Sequence, residues 1–346
     1  MRSSTFSSSQ APASGALGRV WWVALLVAGL LLAGAELGWR RRGFQPSVKD
    51  TPELWSLARA QASAGDGRAV VLLGSSRFQG GLVPEELAKT LGGARLLQLA
   101  INGASSLPVL EDFAADERFR GVVFCEVSPT LFFSVEPNEV RARPASYITA
   151  YKHRPFVADW ETVMRVPFQE RFVVLLSALH PKSVLHHLMV NRALPTPPFS
   201  RTLANRQQQS DFQGMDVEPL RQLWKQRYQG MHGKAPEPAE LEALLERVSA
   251  QVKRIRARGG DVVFVRMVSS GEVRRIEDER YPRARYWDRL IARTGKGLSF
   301  EDVPALARFE CPEDSHLDRY LAPEFTRLLG QELRPYLSGA VATEAP

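Results

Sequence analysis

Short apolar strands alternate with helical stretches along most of this chain, and this alternation is the feature that most restricts its fold. The runs AVVLLG (69–74), RLLQLA (95–100) and GVVFCEVSP (121–129) are separated by stretches with a helical pattern. Buried parallel strands are typically continuous apolar runs, because helices cover both faces of their sheet. The pattern therefore predicts an α/β fold with a parallel sheet built from βαβ units.

The same pattern returns near the C-terminus after a long interruption. Residues 140–245 are rich in arginine, aromatic residues and proline, which predicts a mainly helical insertion. Strand patterns then reappear in DVVFVRMV (261–268) and near GLSFEDV (297–303). The last predicted helix carries one apolar stripe, made of Phe325, Leu328, Leu329, Leu333 and Tyr336.

These changes in pattern divide the chain into segments. We expect one α/β domain in two parts, interrupted by the insertion and preceded by an N-terminal helix. The predicted segments are a disordered N-terminus (1–19), a transmembrane or signal-anchor helix (20–39), a linker with a helix (40–65), the first part of the domain (66–139), the insertion (140–245), the second part (246–338) and a tail (339–346).

The N-terminal helix is predicted from the sixteen residues 20–35, which carry no charge. Trp21, Trp22 and Trp39 bracket it, as interfacial aromatic residues often do, although the stretch is short for a membrane span. The AGA sequence at 33–35 also fits a signal-peptide cleavage site, so removal of the segment stays open, as does a buried soluble helix.

Charge and composition exclude some classes of protein. The net charge is +7, but residues 1–50 hold six basic side chains against two acidic ones and account for more than half of it. The small remainder does not indicate a phosphate-binding face, so no nucleic-acid partner is expected. Cys125 and Cys311 lie in apolar or strand-like surroundings, which favours free buried thiols over a disulfide.

Polar residues follow several of the predicted strands. Ligands of an open parallel sheet bind at the carboxyl ends of its strands, where GSSR (74–77), INGASS (101–106), EVSP (126–129) and CPEDSHLD (311–318) are expected. A serine hydroxyl becomes a useful nucleophile when an imidazole accepts its proton and a carboxylate orients that imidazole. These loops contain all three groups.

In these blocks the chain resembles the SGNH (GDSL-like) hydrolases, over roughly residues 66–135 and 255–338. The resemblance implies a flavodoxin-like three-layer α/β/α domain. It also implies that Ser76 is the nucleophile and His316 the general base, with the N–H groups of Ser76 and Gly103 forming the oxyanion hole.

The chain departs from the family pattern at two points. The family places its acid three residues before the histidine, which is Glu313 here, but Asp314 is also near, so both stay candidates for the triad acid. The third block usually supplies an asparagine donor to the oxyanion, and EVSP has none. Ser128 or backbone N–H groups would have to replace that donor.

More narrowly, the chain resembles the membrane-anchored, extracytoplasmic branch of this family, which transfers or removes acyl groups of cell-envelope polymers. We therefore expect an ester hydrolase or O-acyltransferase that acts on an acylated saccharide or small ester and needs no cofactor. The expected location is periplasmic, although Arg40–Arg42 after the apolar segment slightly favour a cytoplasmic domain.

Two alternatives stay open. One is a catalytically silent envelope assembly or binding protein that contacts a protein partner through the insertion, and the other is a lipid esterase that faces the cytoplasm. No metal site is expected, because His180, His186 and His187 lack partners at ligand spacing. Four arginines, Arg77, Arg266, Arg274 and Arg275, are candidates to meet an anionic substrate, with solvated charge as the default interpretation.

Overall fold

The computed structural model of the protein describes residues 14–64, 69–134, 139–230 and 235–337. Residues 1–13 of the predicted disordered N-terminus, the predicted tail and Gly65 at the end of the predicted linker lie outside this description. The chain forms two compact units. One combines Met1–Pro46 with Arg171–Pro198, and the other combines Ser47–Glu170 with Phe199–Pro346.

The described residues contain seven strands and fifteen α-helices. The strands are β1 (Val70–Leu73), β2 (Leu96–Gln98), β3 (Val122–Glu126), β4 (Ser200–Thr202), β5 (Gln208–Ser210), β6 (Asp261–Arg266) and β7 (Gly297–Ser299). The helices are α1 (Ser14–Arg41), α2 (Pro52–Ala62), α3 (Ser76–Gly81), α4 (Pro84–Thr90), α5 (Leu107–Ala115), α6 (Pro129–Phe132), α7 (Glu139–Lys152), α8 (Phe156–Gln169), α9 (Pro181–Asn191), α10 (Glu218–Gly230), α11 (Pro238–Ala257), α12 (Gly271–Arg280), α13 (Trp287–Thr294), α14 (Pro304–Ala307) and α15 (Ala322–Leu333).

The larger unit is built on a five-stranded parallel sheet with the order β2-β1-β3-β6-β7. Each neighbouring pair is parallel, and Val71 in β1 lies between Leu97 of β2 and Val123 of β3. The predicted α/β fold with a parallel sheet is therefore confirmed. All residues of β1, β3 and β6 are buried, which explains why the central residues of these strands are continuous apolar runs in the sequence.

Helices cover both faces of this sheet. Alternate side chains of a strand point to opposite faces, so Val71 and Leu73 join a core with α2, α5, α11 and α13. Val70 and Leu72 join a second core with α3, α4 and α15. The predicted stripe of the last helix packs into this second core, with Phe325, Leu329 and Leu333 fully buried.

The order of the strands creates a crevice at one edge. From β1 the chain runs to β2 on one side, and β3 then returns to the other side of β1. The carboxyl ends of β1 and β3 therefore lie at a switch in the direction of winding, where open α/β sheets bind their ligands.

The predicted insertion contains α7, α8, α9 and α10 and is mainly helical, but it also includes the antiparallel hairpin β4–β5. Helix α7 packs against α2, and the rings of Tyr147 and Trp55 meet edge to face with centroids 5.9 Å apart. Part of the insertion thus belongs to the same packed unit as the sheet.

The smaller unit contains the N-terminal helix α1. Its stretch Gly18–Arg41 contains an 18-residue window with a mean hydropathy of 2.0 and is long and apolar enough to cross a membrane. The predicted span 20–39 lies inside α1, which begins at Ser14 and so includes residues 14–19 of the segment predicted as disordered. The helix ends where Gly43 takes a positive φ of 90°, a conformation that favours glycine.

Both cysteines lie in the larger unit as free, buried thiols. Burial raises the pKa of Cys125 to about 12 and raises that of Cys311 as well. Neither thiol is therefore present as a thiolate near neutral pH.

Candidate active site

The turn between β1 and α3 presents Ser76 at the first position of a helix. Ser75 is the N-cap, and its Oγ accepts a hydrogen bond from the N–H of Arg77 at 3.3 Å. Gly74 is required there because a Cβ atom would lie 2.3 Å from Oε2 of Glu126. The strand thus ends in a tight turn that directs a hydroxyl to the carboxyl edge of the sheet.

Ser76 and His316, which are 240 positions apart in the chain, meet at this edge. The Oγ of Ser76 lies 2.8 Å from Nε2 of His316, and Nδ1 of the same ring lies 3.0 Å from Oε1 of Glu313. The three side chains form a serine–imidazole–carboxylate chain of hydrogen bonds, the arrangement that can remove a proton from a serine hydroxyl.

The carboxylate of Glu313 is held in place by backbone N–H groups of the residues that follow it. Its Oε1 also accepts hydrogen bonds from the N–H groups of Ser315, at 3.2 Å, and of His316. The carboxylate is 1% exposed, so it is shielded from water while it contacts the imidazole. This loop therefore orients acid and base as one piece.

The carboxylate of Asp314 makes different contacts from that of Glu313. Its backbone has a positive φ of 74°, and its carboxylate accepts a hydrogen bond from the N–H of Glu272 at 3.1 Å and lies 3.6 Å from Arg221. Burial raises the pKa of Asp314. The side chain packs against the start of α12, and of the two carboxylates it is Glu313 that contacts His316.

Ser76 and Gly103 both carry backbone N–H groups at the edge of a pocket. Gly103 has a φ of 64°, in the region that favours glycine, and its turn is held by a 2.9 Å hydrogen bond from Ile101 N–H to Gly74 C=O. Within the described residues, the N–H groups of Ser76 and Gly103 have no hydrogen-bond acceptor. Both residues line one pocket of about 370 Å³. These N–H groups are thus available to a ligand oxygen.

Ser128, the residue considered as a replacement for the missing asparagine, does not line this pocket. It is 4% exposed, and its Oγ has no hydrogen-bond partner in the described part of the chain. The hydroxyl lies buried beneath the surface of the site.

We expect Ser128→Ala to leave catalysis of an ester substrate within about twofold of the wild type. An unpartnered buried hydroxyl costs free energy, so the variant should also be equally or more resistant to heat. Steady-state kinetics and thermal unfolding measure the two effects. A rate loss of about 10²-fold would instead identify Ser128 as an oxyanion donor.

Glu126, at the end of β3, stabilises the turn between β1 and α3. Its carboxylate accepts hydrogen bonds from the N–H of Ser75 at 2.5 Å and from the Oγ of Ser75 at 2.9 Å. Burial raises the pKa of Glu126, and the hydrogen bond from Ser75 N–H opposes that rise. This carboxyl group was not recognised as a site residue from the sequence, where it reads as the polar end of a strand.

Arg77, directly after the candidate nucleophile, forms an ion pair and a hydrogen bond with other parts of the protein. Its guanidinium is buried and lies 2.9 Å from Glu277 and 3.0 Å from the hydroxyl of Tyr228. Burial alone would lower the pKa of Arg77, but the charge and hydrogen bond of Glu277, together with Tyr228 and Glu126, outweigh it and raise that pKa. Arg77 therefore links α3 with α10 and α12.

The other arginines considered for an anionic substrate lie in ion pairs outside the pocket. Arg266 pairs with Asp278 at 2.9 Å and with Glu301 at 2.8 Å, and Arg274 pairs with Asp278 at 2.6 Å. Arg275 pairs with Glu272 and Glu279 on its own helix.

The insertion supplies one wall of the pocket. Trp224, Arg227 and Tyr228 come from α10 and Arg143 from α7. The ring of Trp224 lies 5.3 Å from that of His316, between centroids. The sequence contains the signal, a mixture of aromatic and basic residues in 218–230, but nothing in it shows which elements of the insertion return to the sheet.

The three histidines considered as metal ligands lie outside the pocket. His186 and His187 are on α9 and His180 directly precedes it, so all three belong to the smaller unit. In the described ranges, no group of three or more His, Cys, Asp or Glu side chains is placed to hold a metal ion.

No protein-family model matches the chain, and no curated protein matches it either.

Proposed function

We propose that the protein is a membrane-anchored serine hydrolase or O-acyltransferase of the SGNH type. The observation that carries this proposal is the line of hydrogen bonds from Ser76 through His316 to Glu313 beside an open pocket. The sheet order supports it, since β2-β1-β3-β6-β7 corresponds to the flavodoxin-like order of doubly wound folds.

The proposed reaction has two stages. His316 Nε2 accepts the proton of Ser76 as the oxygen attacks the carbonyl carbon of an ester, and the N–H groups of Ser76 and Gly103 bind the developing oxyanion. The intermediate then collapses to an acyl-serine, and His316 returns the proton to the departing alcohol. In the second stage, water or a sugar hydroxyl gives its proton to His316 and takes the acyl group. His316 then returns the proton to the departing Oγ, which restores Ser76.

An acylated saccharide is the proposed substrate. Its support is the wall formed by α10, where Trp224 offers an aromatic surface next to His316 and Arg227 lies nearby. Arg143 of α7 also lines the pocket, and its guanidinium donates to the carbonyl of Asn102 at 2.7 Å. Neither arginine forms an ion pair with a carboxylate among the described residues.

We expect these two arginines to favour esters that carry a negative charge. In the variant Arg143→Gln/Arg227→Gln, the ratio of kcat/KM for 4-acetoxybenzoate to that for phenyl acetate should fall about fivefold, since exposed charge pairs are each worth up to about 1 kcal/mol. Arg118→Gln, on a loop outside the pocket, is the control. An unchanged ratio in the double variant would exclude this role.

Anchoring by α1 with the larger unit outside the cytoplasm completes the proposal. The support for anchoring is the length and hydropathy of Gly18–Arg41. The extracytoplasmic side rests on the resemblance to envelope enzymes, because basic residues lie on both sides of the apolar stretch. Protease accessibility in intact cells tests the side.

A fluorophosphonate probe tests the enzyme proposal directly. This reagent reacts with serines that an adjacent base activates, so it should modify Ser76 in the folded protein, with the site read by mass spectrometry. His316→Ala should remove the labelling and Ser128→Ala should not. Absence of labelling in the folded wild type would favour the binding-protein alternative.

A further inference from the structure

In the smaller unit, the segment that follows Arg171 is fastened to the C-terminal end of α1. The carboxylate of Glu36 accepts hydrogen bonds from the N–H groups of Val173, at 3.1 Å, and Val174, at 3.0 Å. Arg40 donates to the carbonyl of Arg171. Polar contacts thus join the last turns of α1 to a second stretch of chain.

Apolar side chains strengthen this junction. Trp39 and Phe44 meet edge to face with ring centroids 5.3 Å apart. They belong to a small core that contains Trp39, Phe44, Val173, Leu176 and Leu179. The segment from 171 to 179 is therefore packed on α1.

The position of the junction along α1 determines where it would lie relative to a bilayer. Gly18–Arg41 has 24 residues, or about 36 Å of helix, against a hydrocarbon layer of about 30 Å. Glu36 is five residues from the end of the helix, which is about 7.5 Å along its axis. If α1 spans a bilayer, the segment fastened to Glu36 lies at the boundary between lipid and water.

Helix α9 follows directly and exposes large apolar side chains. No residue of α9 is buried. Leu185, Leu188 and Met189 share one face at spacings of three and four residues, and Leu185 and Met189 are 57% and 66% exposed. His187 lies on another side, where its Nδ1 contacts the carbonyl of Ala193 at 2.9 Å.

We propose that α9 is a second membrane contact, which lies in the lipid–water interface with Leu185, Leu188 and Met189 directed into the acyl-chain boundary. The inference rests on the proposed anchoring of α1. The occupant of this apolar face is the bilayer, because the contacts of Glu36 hold the segment at the end of the spanning helix and α9 begins two residues after Leu179. Interfacial helices bind membranes in this way, with one apolar face in the lipid.

The experiment measures how deeply α9 enters lipid. The full chain is reconstituted into lipid nanodiscs at one copy per disc, with a fluorescent NBD label on Met189→Cys. Cys125 and Cys311 are buried, so the introduced thiol reacts selectively. We expect blue-shifted emission and about twofold or greater quenching when lipids with a nitroxide near the headgroup are included.

Two matched positions complete the design. Glu246→Cys, on an exposed position of α11, should show neither effect, and Val27→Cys, in the middle of α1, should be shielded from water. Emission from position 189 equal to that from position 246, with position 27 shielded, would overturn the second contact alone. A water-exposed label at position 27 would remove the anchor on which the proposal rests, while fluorophosphonate labelling of Ser76 would still report on the enzyme.

Discussion

Ser76→Ala is expected to lower kcat/KM for a short-chain aryl ester by roughly 10³- to 10⁶-fold, the range seen when a serine nucleophile is removed from a triad. The reason is geometric. The Oγ of Ser76 is the group within hydrogen-bonding distance of His316 Nε2, and alanine has no atom that can attack the carbonyl or give up a proton. Steady-state hydrolysis of 4-nitrophenyl acetate measures the effect.

The fold should survive this change. Ser76 contributes one partly exposed hydrogen bond, worth about 1 kcal/mol, so the midpoint of thermal unfolding should move by only a few degrees. Ser146→Ala, an exposed serine on α7, is the matched control and should retain full activity. A folded Ser76→Ala protein that hydrolyses the ester at the wild-type rate would refute the proposed mechanism.

The second large effect separates the two candidate acids. Glu313→Gln should reduce kcat by about 10²- to 10⁴-fold, because a neutral amide next to Nδ1 no longer stabilises the positive charge that the imidazole gains when it accepts the proton of Ser76. Asp314→Asn should change kcat by less than about fivefold, since its carboxylate contacts α12 and asparagine keeps an acceptor for Glu272 N–H.

The comparison is made with the same ester and with the unfolding midpoint of each variant as a check of folding. In Glu313→Gln, the amide oxygen of the new side chain can still accept from the N–H groups of Ser315 and His316, so the loop should keep its conformation. A larger loss from Asp314→Asn than from Glu313→Gln would reverse the assignment of the acid.

The strands of the parallel sheet could be predicted because they are buried on both faces. Strands β1, β3 and β6 lie wholly inside the core, and their apolar runs carry no polar interruption. The hairpin β4–β5 was not predicted, because Ser200–Thr202 and Gln208–Ser210 have no apolar alternation. Its pairing depends on neighbours that the local pattern does not show.

Part of the candidate site could likewise be predicted from the sequence, and part of it could not. That Ser76 and His316 would come to one edge follows from the order of strands and loops, a property of parallel sheets. The choice between Glu313 and Asp314 depends on one backbone angle, the positive φ of Asp314, which the sequence EDSH does not reveal. To predict that Glu126 stabilises the turn, one must know that β3 lies beside β1. To predict the wall formed by α10, one must know where the insertion returns to the sheet.

The wall formed by α10 suggests how proteins of this design could diversify. Under the proposed function, the groups that break the ester lie on loops of the sheet, whereas Trp224 and Arg227 lie on a helix that belongs to the insertion. Exchange of Glu218–Gly230 between homologous chains should therefore transplant preference for one ester over another without altering the reaction itself. Tyr228 would have to be kept in such a graft, because its hydroxyl holds the arginine that follows the nucleophile.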